Sequence, residues 1–350
     1  MRLAGGEPGV PAEVWRGHSC PRAGSSGAAC GRGQECPRHT VSHAPVLSPS
    51  ERTLRTTASY YNDYVEDAAQ FIQKHAQLRQ ELKACGRLLV AYSGGVDSAF
   101  LAWTTHQVLG GQMRAVIADS ASLARTHLED ALAFAREHGI PVAVVETHEL
   151  QNPDYSRNDA MRCFHCKDEL FTVLEQYCAA HNYDAVAYGV NADDQGDFRP
   201  GQQAARQHRV LAPLLDAALG KNEIRELARQ AGLRVWDKPA SACLSSRIEY
   251  GRPVTAEALQ AVERGEDALR ALGFRQFRVR HHGEIVRIEI AREELPRALT
   301  SDMARELTAI FKNLGFAFVT LDLEGFRSGS MNQLLKPEEL LRGQGPRDKA

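Results

Sequence analysis

Apolar positions along the chain alternate between short continuous runs and longer segments with helical spacing. The short apolar runs, typical of buried strands, lie at 87–92, 113–119, 141–147 and 184–189. The segments with helical spacing lie at 60–82, 98–109, 128–139 and about 162–181. Strands that alternate with helices in this way predict an α/β fold, a parallel sheet with helices on both faces, over residues 58–238.

The pattern changes near Pro239, where a serine-rich loop begins. Beyond it the spacing predicts helices at 255–272 and 300–313, two antiparallel strands at 274–283 and 284–291, and a last strand at 316–323. We interpret residues 239–335 as a second, smaller α+β domain. Residues 1–57, rich in Gly, Pro, Ser, Arg and Ala, predict a disordered extension, and residues 336–350 predict a loose tail.

Composition and charge narrow the class of protein. The 350 residues are 43% hydrophobic and 25% charged, as in an ordinary globular protein, and the net charge is −2. Nucleic acid is therefore not the expected partner, although a local basic patch can coexist with a neutral total. No apolar run approaches the ~18 residues that span a bilayer, and no secretory signal is evident at the start. We expect a cytoplasmic protein with no membrane partner, whose eight cysteines are reduced, metal-bound or catalytic.

The string S-G-G-V-D-S, Ser93–Ser98, lies where the first predicted strand meets a helix. Gly94 and Gly95 permit a tight turn that brings backbone N–H groups close to an anion at the helix N-terminus. Ser98 suits a helix cap. An ordinary capped turn is the alternative, and the string matches neither the G-x-x-x-x-G-K-[ST] nor the G-x-G-x-x-G phosphate motif.

Three cysteines form the second candidate site. Cys163 and Cys166 lie at i and i+3 of a predicted helix and share one face. Zinc would need a second pair, a redox dithiol usually follows a strand, and core packing would also explain the pair. Cys243, four residues before Arg247, adds a third thiolate, and three thiolates suit a [4Fe–4S] cluster with one open iron. Cys85 and Cys178 are interpreted as structural, and Cys20, Cys30 and Cys36 with His18 and His39 as a loosely spaced zinc pattern.

Six strings in order carry a resemblance to a known family over about Tyr60–Leu335. They are SGGVDS, RCFHCKDELF, YGVNADDQGDFRPG, KPASACLSSRIEYG, FRVRHHGEIVRIEI and VTLDLEGFRSG. S-G-G-x-D-S resembles the PP-loop of N-type ATP pyrophosphatases, and the full set resembles the LarE-type sulfur transferases of nickel-pincer cofactor synthesis. The resemblance implies a PP-loop ATP pyrophosphatase domain at 58–238 and a sulfur-transfer and substrate domain at 239–335.

The resemblance also implies a reaction and its nucleotide site. The enzyme would adenylate a carboxylate of a pyridinium biscarboxylate mononucleotide, release pyrophosphate, and displace AMP with sulfur to form a thiocarboxylate. The implied ATP-binding residues are Ser93, Gly94, Gly95, Val96, Asp97 and Ser98 at the PP-loop, with Asp97 helping to hold Mg²⁺, and Ser120 after Asp119 on the second strand.

The family obtains its sulfur in two ways. In one branch Cys163, Cys166 and Cys243 would hold a [4Fe–4S] cluster whose open iron carries sulfide; in the other, Cys243 would surrender its own sulfur. All three cysteines are present here, which favours the cluster branch. The motifs also leave open a cluster-dependent tRNA 2-thiolation enzyme, an amidase-coupled synthetase, and a zinc-stabilised nucleotide-binding regulator without turnover.

Further residues acquire roles through the same resemblance. The implied substrate-phosphate ligands are Ser246, Arg247, Arg278 and Arg280, and the possible divalent-metal ligands are Glu266 and Glu289. Charge patterning alone also fits solvated faces. Lys167 would neutralise phosphate or cluster charge, and Asp194, Asp197 and Arg199 follow the fourth strand at the ligand-binding edge. The family implies a homo-oligomer and handover of the product to a nickel-insertion protein.

Overall fold

A four-stranded, wholly parallel sheet organises the first half of the protein. The computed structural model describes residues 69–195, 200–239, 242–327 and 331. The strands are β1 Leu88–Ala91, β2 Met113–Asp119, β3 Val142–Glu146 and β4 Ala185–Tyr188. Their order is β3-β2-β1-β4, so the chain proceeds from β1 to one side and then returns to the other. The predicted parallel α/β sheet is confirmed.

Helices cover both faces of this sheet, because successive strand side chains point to opposite sides. The helices are α1 69–84, α2 Val96–Leu109, α3 Arg125–Glu137, α4 Pro153–Ser156, α5 Arg162–His181, α6 Pro200–Gln207, α7 Pro213–Asp216 and α8 Lys221–Gln230. Leu88 and Val90 pack with α1, α2, α3 and α8 on one face. Leu89 and Ala91 pack with α5 and α6 on the other.

A smaller mixed sheet follows, with its own apolar core. It contains β5 Phe277–His282, β6 Ile285–Ile290 and β7 Phe318–Leu321, with helices α9 Ala256–Ala271, α10 Leu295–Ala298 and α11 Ser301–Asn313. β5 and β6 are antiparallel as predicted, and β7 joins β6 in parallel. Val262, Val279 and Phe311 lie in the core between this sheet and its helices.

Most predicted segments agree with the structure to within a few residues. Helix α3 begins three residues before its predicted start, β5 begins three residues after its predicted start, and β7 is half the predicted length. The domain boundary at 238/239 stays a prediction. Among the described residues, none of the helices combines the length and apolarity that a membrane crossing requires.

Candidate active site

The S-G-G-V-D-S loop lies at the carboxyl end of β1, between the two halves of the sheet. Open parallel sheets bind ligands at this point, where the strand order reverses and leaves a crevice. Gly94 has φ +71°, and a Cβ there would lie 2.7 Å from the Ala131 Cβ. Gly189, after β4, packs so closely on the loop that its Cβ would be 2.8 Å from the Ser98 backbone nitrogen.

Ser98 closes the loop but does not cap the helix, so the predicted cap is wrong. Helix α2 begins at Val96, and Gly95 occupies the cap position. The Ser98 hydroxyl donates to the Gly95 carbonyl at 3.2 Å and accepts from the Ser93 backbone N–H at 3.1 Å. The loop therefore keeps a fixed curvature around the N-terminus of a 14-residue helix, which suits an anion.

Asp97, in the first turn of α2, has one engaged and one unengaged oxygen. Its Oδ2 is bound by the ammonium of Lys221, the first residue of α8. Its Oδ1 is buried and has no hydrogen-bond partner among the described residues. A buried acceptor without a donor is costly, and a cation bound at this oxygen would relieve that cost.

One cavity of about 700 Å³ joins the loop to all three predicted sulfur ligands. The predicted site residues on its wall are Ser93, Gly95, Asp97, Ser98, Ser120, Cys163, Cys166, Lys167, Asp194, Cys243 and Ser246. They come from the loop between β1 and α2, the first turn of α2, the end of β2, the start of α5, the turn after β4 and the loop before α9. Asp197 and Arg199 lie outside the described residues.

Arg162, which sequence reasoning missed, joins the two cysteine segments. It is 3% exposed and opens α5, one residue before Cys163. Its guanidinium donates to Asn158 Oδ1 and, at 2.9 Å, to the Ser245 carbonyl, and its Nη2 lies 4.0 Å from Cys163 Sγ. The Tyr250 ring lies 5.4 Å from its Cζ. Arg162 therefore supplies a buried positive charge where thiolates would accumulate.

Cys243 and Cys166 have different electrostatic surroundings. Burial opposes ionisation of Cys243, but Arg162, hydrogen bonds from Ser245 and the Ser246 backbone, and Arg247 lower its pKa overall. Burial raises the pKa of Cys166, Lys167 counteracts it, and Cys243, Glu149 and Cys163 raise it further. Of these two thiols, Cys243 is thus the more ready to act as a thiolate.

Tyr155 is a second missed residue beside the cysteines. It is 1% exposed, and its hydroxyl makes no hydrogen bond of acceptable geometry among the described residues, although the Ser122 and Ser245 hydroxyls are near. Burial raises the Tyr155 pKa, and Cys243 and Cys166 raise it further. The phenol is therefore a neutral donor that faces the cysteine site.

The predicted phosphate-binding arginines contact carboxylates and carbonyls. Arg247, 1% exposed, forms a bidentate pair with Glu266 at 2.8 and 3.1 Å. Arg280 pairs with buried Glu289 at 2.8 Å. The Arg278 guanidinium lies over the Phe326 ring, and burial beside Arg247 lowers its pKa to about 10.

Of the predicted phosphate ligands, Ser246 lines the cavity and the three arginines do not. Within the described part of the chain, no three His, Cys, Asp or Glu side chains converge on one metal-ion position. The phosphate and metal-ligand roles stay predictions.

The structural interpretation of the other described cysteines agrees with their surroundings. Cys85 Sγ donates to the Glu81 carbonyl at 3.2 Å and packs beside the α1–α2 core. Cys178 packs against the core under α5. The segment with Cys20, Cys30 and Cys36 lies outside the described residues.

Comparison with known proteins places the chain in a family. No family model matches it. It is 44% identical over 262 residues to an uncharacterised protein of Synechocystis, covering 75% of this chain and 98% of the relative. It is 34% identical over 271 residues to pyridinium-3,5-bisthiocarboxylic acid mononucleotide synthase of Lactiplantibacillus plantarum, covering 76% of this chain and 96% of the relative.

A more distant relative supports the nucleotide domain. A subunit of the glutamine-hydrolysing GMP synthase of Thermococcus kodakarensis is 26% identical over 181 residues, 47% of this chain and 56% of the relative. The similarity to the mononucleotide synthase extends over nearly all of that protein. The chain therefore belongs to the LarE-type family of sulfur transferases.

Proposed function

We propose that the protein is an ATP-dependent sulfur transferase of nickel-pincer cofactor biosynthesis. It would adenylate a carboxylate of a pyridinium biscarboxylate mononucleotide and convert it to a thiocarboxylate, releasing pyrophosphate and AMP. The observation that supports this is the shared cavity, because the phosphate loop and three cysteines line one space of about 700 Å³. Adenylation and sulfur transfer can then occur without release of the activated substrate.

For adenylation, the S-G-G-V-D-S loop and the N-terminus of α2 would hold the phosphates of ATP. Mg²⁺ fits Asp97, whose Oδ1 is buried and lacks a donor among the described residues. The neighbouring Lys221 ammonium supplies a further positive charge for the leaving pyrophosphate. Ser120, at the nucleotide end of the cavity, would contact the nucleoside.

For sulfur transfer, the donor set fits a [4Fe–4S] cluster better than a single metal ion. Each cysteine of such a cluster binds a different iron, so the thiolates surround the cluster and do not meet at one point. Cys163, Cys166 and Cys243 line a common wall without converging on one ion position. Arg162 offsets thiolate charge, and the Tyr155 hydroxyl is a buried donor nearby. When bound, the cluster would supply an open iron for exchangeable sulfide.

A second mechanism has support from one observation. The pKa of Cys243 is lowered by Arg162 and its hydrogen bonds in spite of burial, so this thiol suits direct attack on the adenylate. Cys243 would then be the sacrificial sulfur donor. Cys163 and Cys166 beside it in the cavity favour the cluster mechanism.

The proposal extends to partners and location. A small mononucleotide is the expected substrate. A nucleic-acid partner is not expected, because the net charge is −2. We infer a cytoplasmic homo-oligomer that passes its product to a nickel-insertion protein, as the family implies.

Metal analysis distinguishes the cluster mechanism from a structural metal and from a sacrificial cysteine. Anaerobically purified wild-type protein should contain about four iron and four sulfide per chain, with a visible absorption band. Cys163→Ala should lose most of this iron, whereas Cys178→Ala, on the same helix, should retain it. Stoichiometric zinc without iron would favour a structural metal. A protein that contains neither iron nor zinc would favour Cys243 as the sacrificial donor.

A further inference from the structure

Glu149, three residues after the end of β3, is a buried carboxylate that no cation accompanies among the described residues. It is 2% exposed and lines the cavity that also contains Cys166. Within that part of the chain, its carboxylate accepts one hydrogen bond, from Ser122 Oγ at 2.9 Å, and forms no ion pair. A buried carboxyl group with one hydrogen bond and no ion pair costs stability.

A row of hydroxyl groups connects Glu149 with the nucleotide end of the cavity. Ser122 Oγ lies 3.0 Å from Ser120 Oγ, and both serines line the cavity. The same Ser122 is attached to the sulfur end, since its carbonyl accepts from the Leu244 N–H at 2.8 Å. Glu149 is therefore hydrogen-bonded to Ser122, which connects the segment proposed to contact the nucleoside with the segment that carries Cys243.

Sulfur transfer releases a proton in this space. The sulfur nucleophile, a hydrosulfide, forms a C–S bond to the activated carboxyl carbon. The bond from that carbon to the AMP oxygen breaks, and its electron pair leaves on the phosphate of AMP. The S–H proton must pass to a base within hydrogen-bond reach.

We propose that Glu149 accepts the S–H proton during sulfur transfer and that Ser122 and Ser120 relay it toward the nucleotide end of the cavity. This inference rests on the proposed sulfur-transferase function. It assigns Glu149 to the second half-reaction alone, so ATP binding and adenylation do not require its carboxylate.

Glu149→Gln tests the assignment, because it removes the proton acceptor and keeps the shape of the side chain. Calorimetry with ATP and Mg²⁺ should give a Kd within about twofold of wild type, because the substitution leaves the nucleotide contacts in place. Hydroxylamine, an external nucleophile, should trap the adenylate of the pyridinium substrate as hydroxamate at the wild-type rate. Thiocarboxylate formation should fall by about 10²–10⁴-fold.

Two variants and one wild-type measurement make each outcome decisive. Glu146→Gln, three residues earlier and exposed, should leave both reactions unchanged, and Glu149→Asp should recover part of the transfer. Unchanged thiocarboxylate formation in Glu149→Gln overturns the proposal. Loss of both ATP affinity and hydroxamate formation in this variant also overturns it, because Glu149 would then be a nucleotide or metal ligand.

Glu149→Asp decides the case in which Glu149→Gln unfolds at a lower temperature than wild type. If Glu149→Asp has a normal melting temperature and still forms no thiocarboxylate, the proposal is overturned. Absence of hydroxamate with wild type would instead reject the proposed function itself.

Discussion

Cys243→Ala is expected to abolish thiocarboxylate formation, a loss on the order of a thousandfold or more, while pyrophosphate release continues. Cys243 is the thiol whose pKa is lowered by its surroundings, and it lies in the cavity shared with the phosphate loop. Both proposed sulfur mechanisms need its sulfur, either as a cluster ligand or as the donor. Adenylation depends on the loop at the end of β1 and should persist. Substrate-dependent ATP–pyrophosphate exchange and mass spectrometry of the product measure the two half-reactions separately.

The control for this prediction is Cys178→Ala, which removes a thiol on α5 that packs into the core away from the cavity. It should retain both half-reactions. Thiocarboxylate formation above about a tenth of the wild-type rate in Cys243→Ala would remove this residue from the sulfur mechanism.

Arg247→Met is expected to lower the free energy of unfolding by about 3–5 kcal/mol. The substitution leaves the Glu266 carboxylate, 5% exposed, without its bidentate partner. It also removes donors to the Cys243 carbonyl and the Ser246 hydroxyl. The loop that contains these two residues therefore loses its attachment to α9. Urea denaturation followed by circular dichroism measures the change.

A double-mutant cycle identifies the ion pair as the cause. Arg247→Met combined with Glu266→Gln should lose less stability than the sum of the two single variants, because no uncompensated charge remains buried. Arg270→Met, in an exposed pair with Asp267 on the same helix, should cost at most about 1 kcal/mol. A cost for Arg247→Met no larger than for Arg270→Met would show that burial does not strengthen this pair.

Local pattern predicted the sheet and the shared helix face of Cys163 and Cys166, because both depend on spacing along the chain. The apolar runs set the strands, and the i, i+3 spacing of Cys163 and Cys166 sets a shared helix face. Parallel strands then bring the end of β1, the start of α5 and the Ser120 segment to one edge.

Residues defined by tertiary burial were not predictable in this way. Arg162 has the sequence pattern of an ordinary charge before a cysteine, and its role depends on Asn158 and Ser245, the latter from a distant segment. Glu149 has the pattern of a polar residue after a strand. The role of Arg247 was not predictable for the same reason. Its sequence context fits a phosphate ligand as well as the buried partner of Glu266 that the structure shows.

The most direct test of the cluster mechanism is to count thiocarboxylate products per protein chain by mass spectrometry. Anaerobic wild-type protein would receive ATP, Mg²⁺, sulfide and the pyridinium biscarboxylate mononucleotide. This mechanism predicts several oxygen-to-sulfur replacements per chain, equal release of AMP and pyrophosphate, and an intact Cys243. Product limited to one per chain with sulfur lost from Cys243 would contradict the cluster mechanism, and ATP cleavage without any sulfur-containing product would contradict the proposed function.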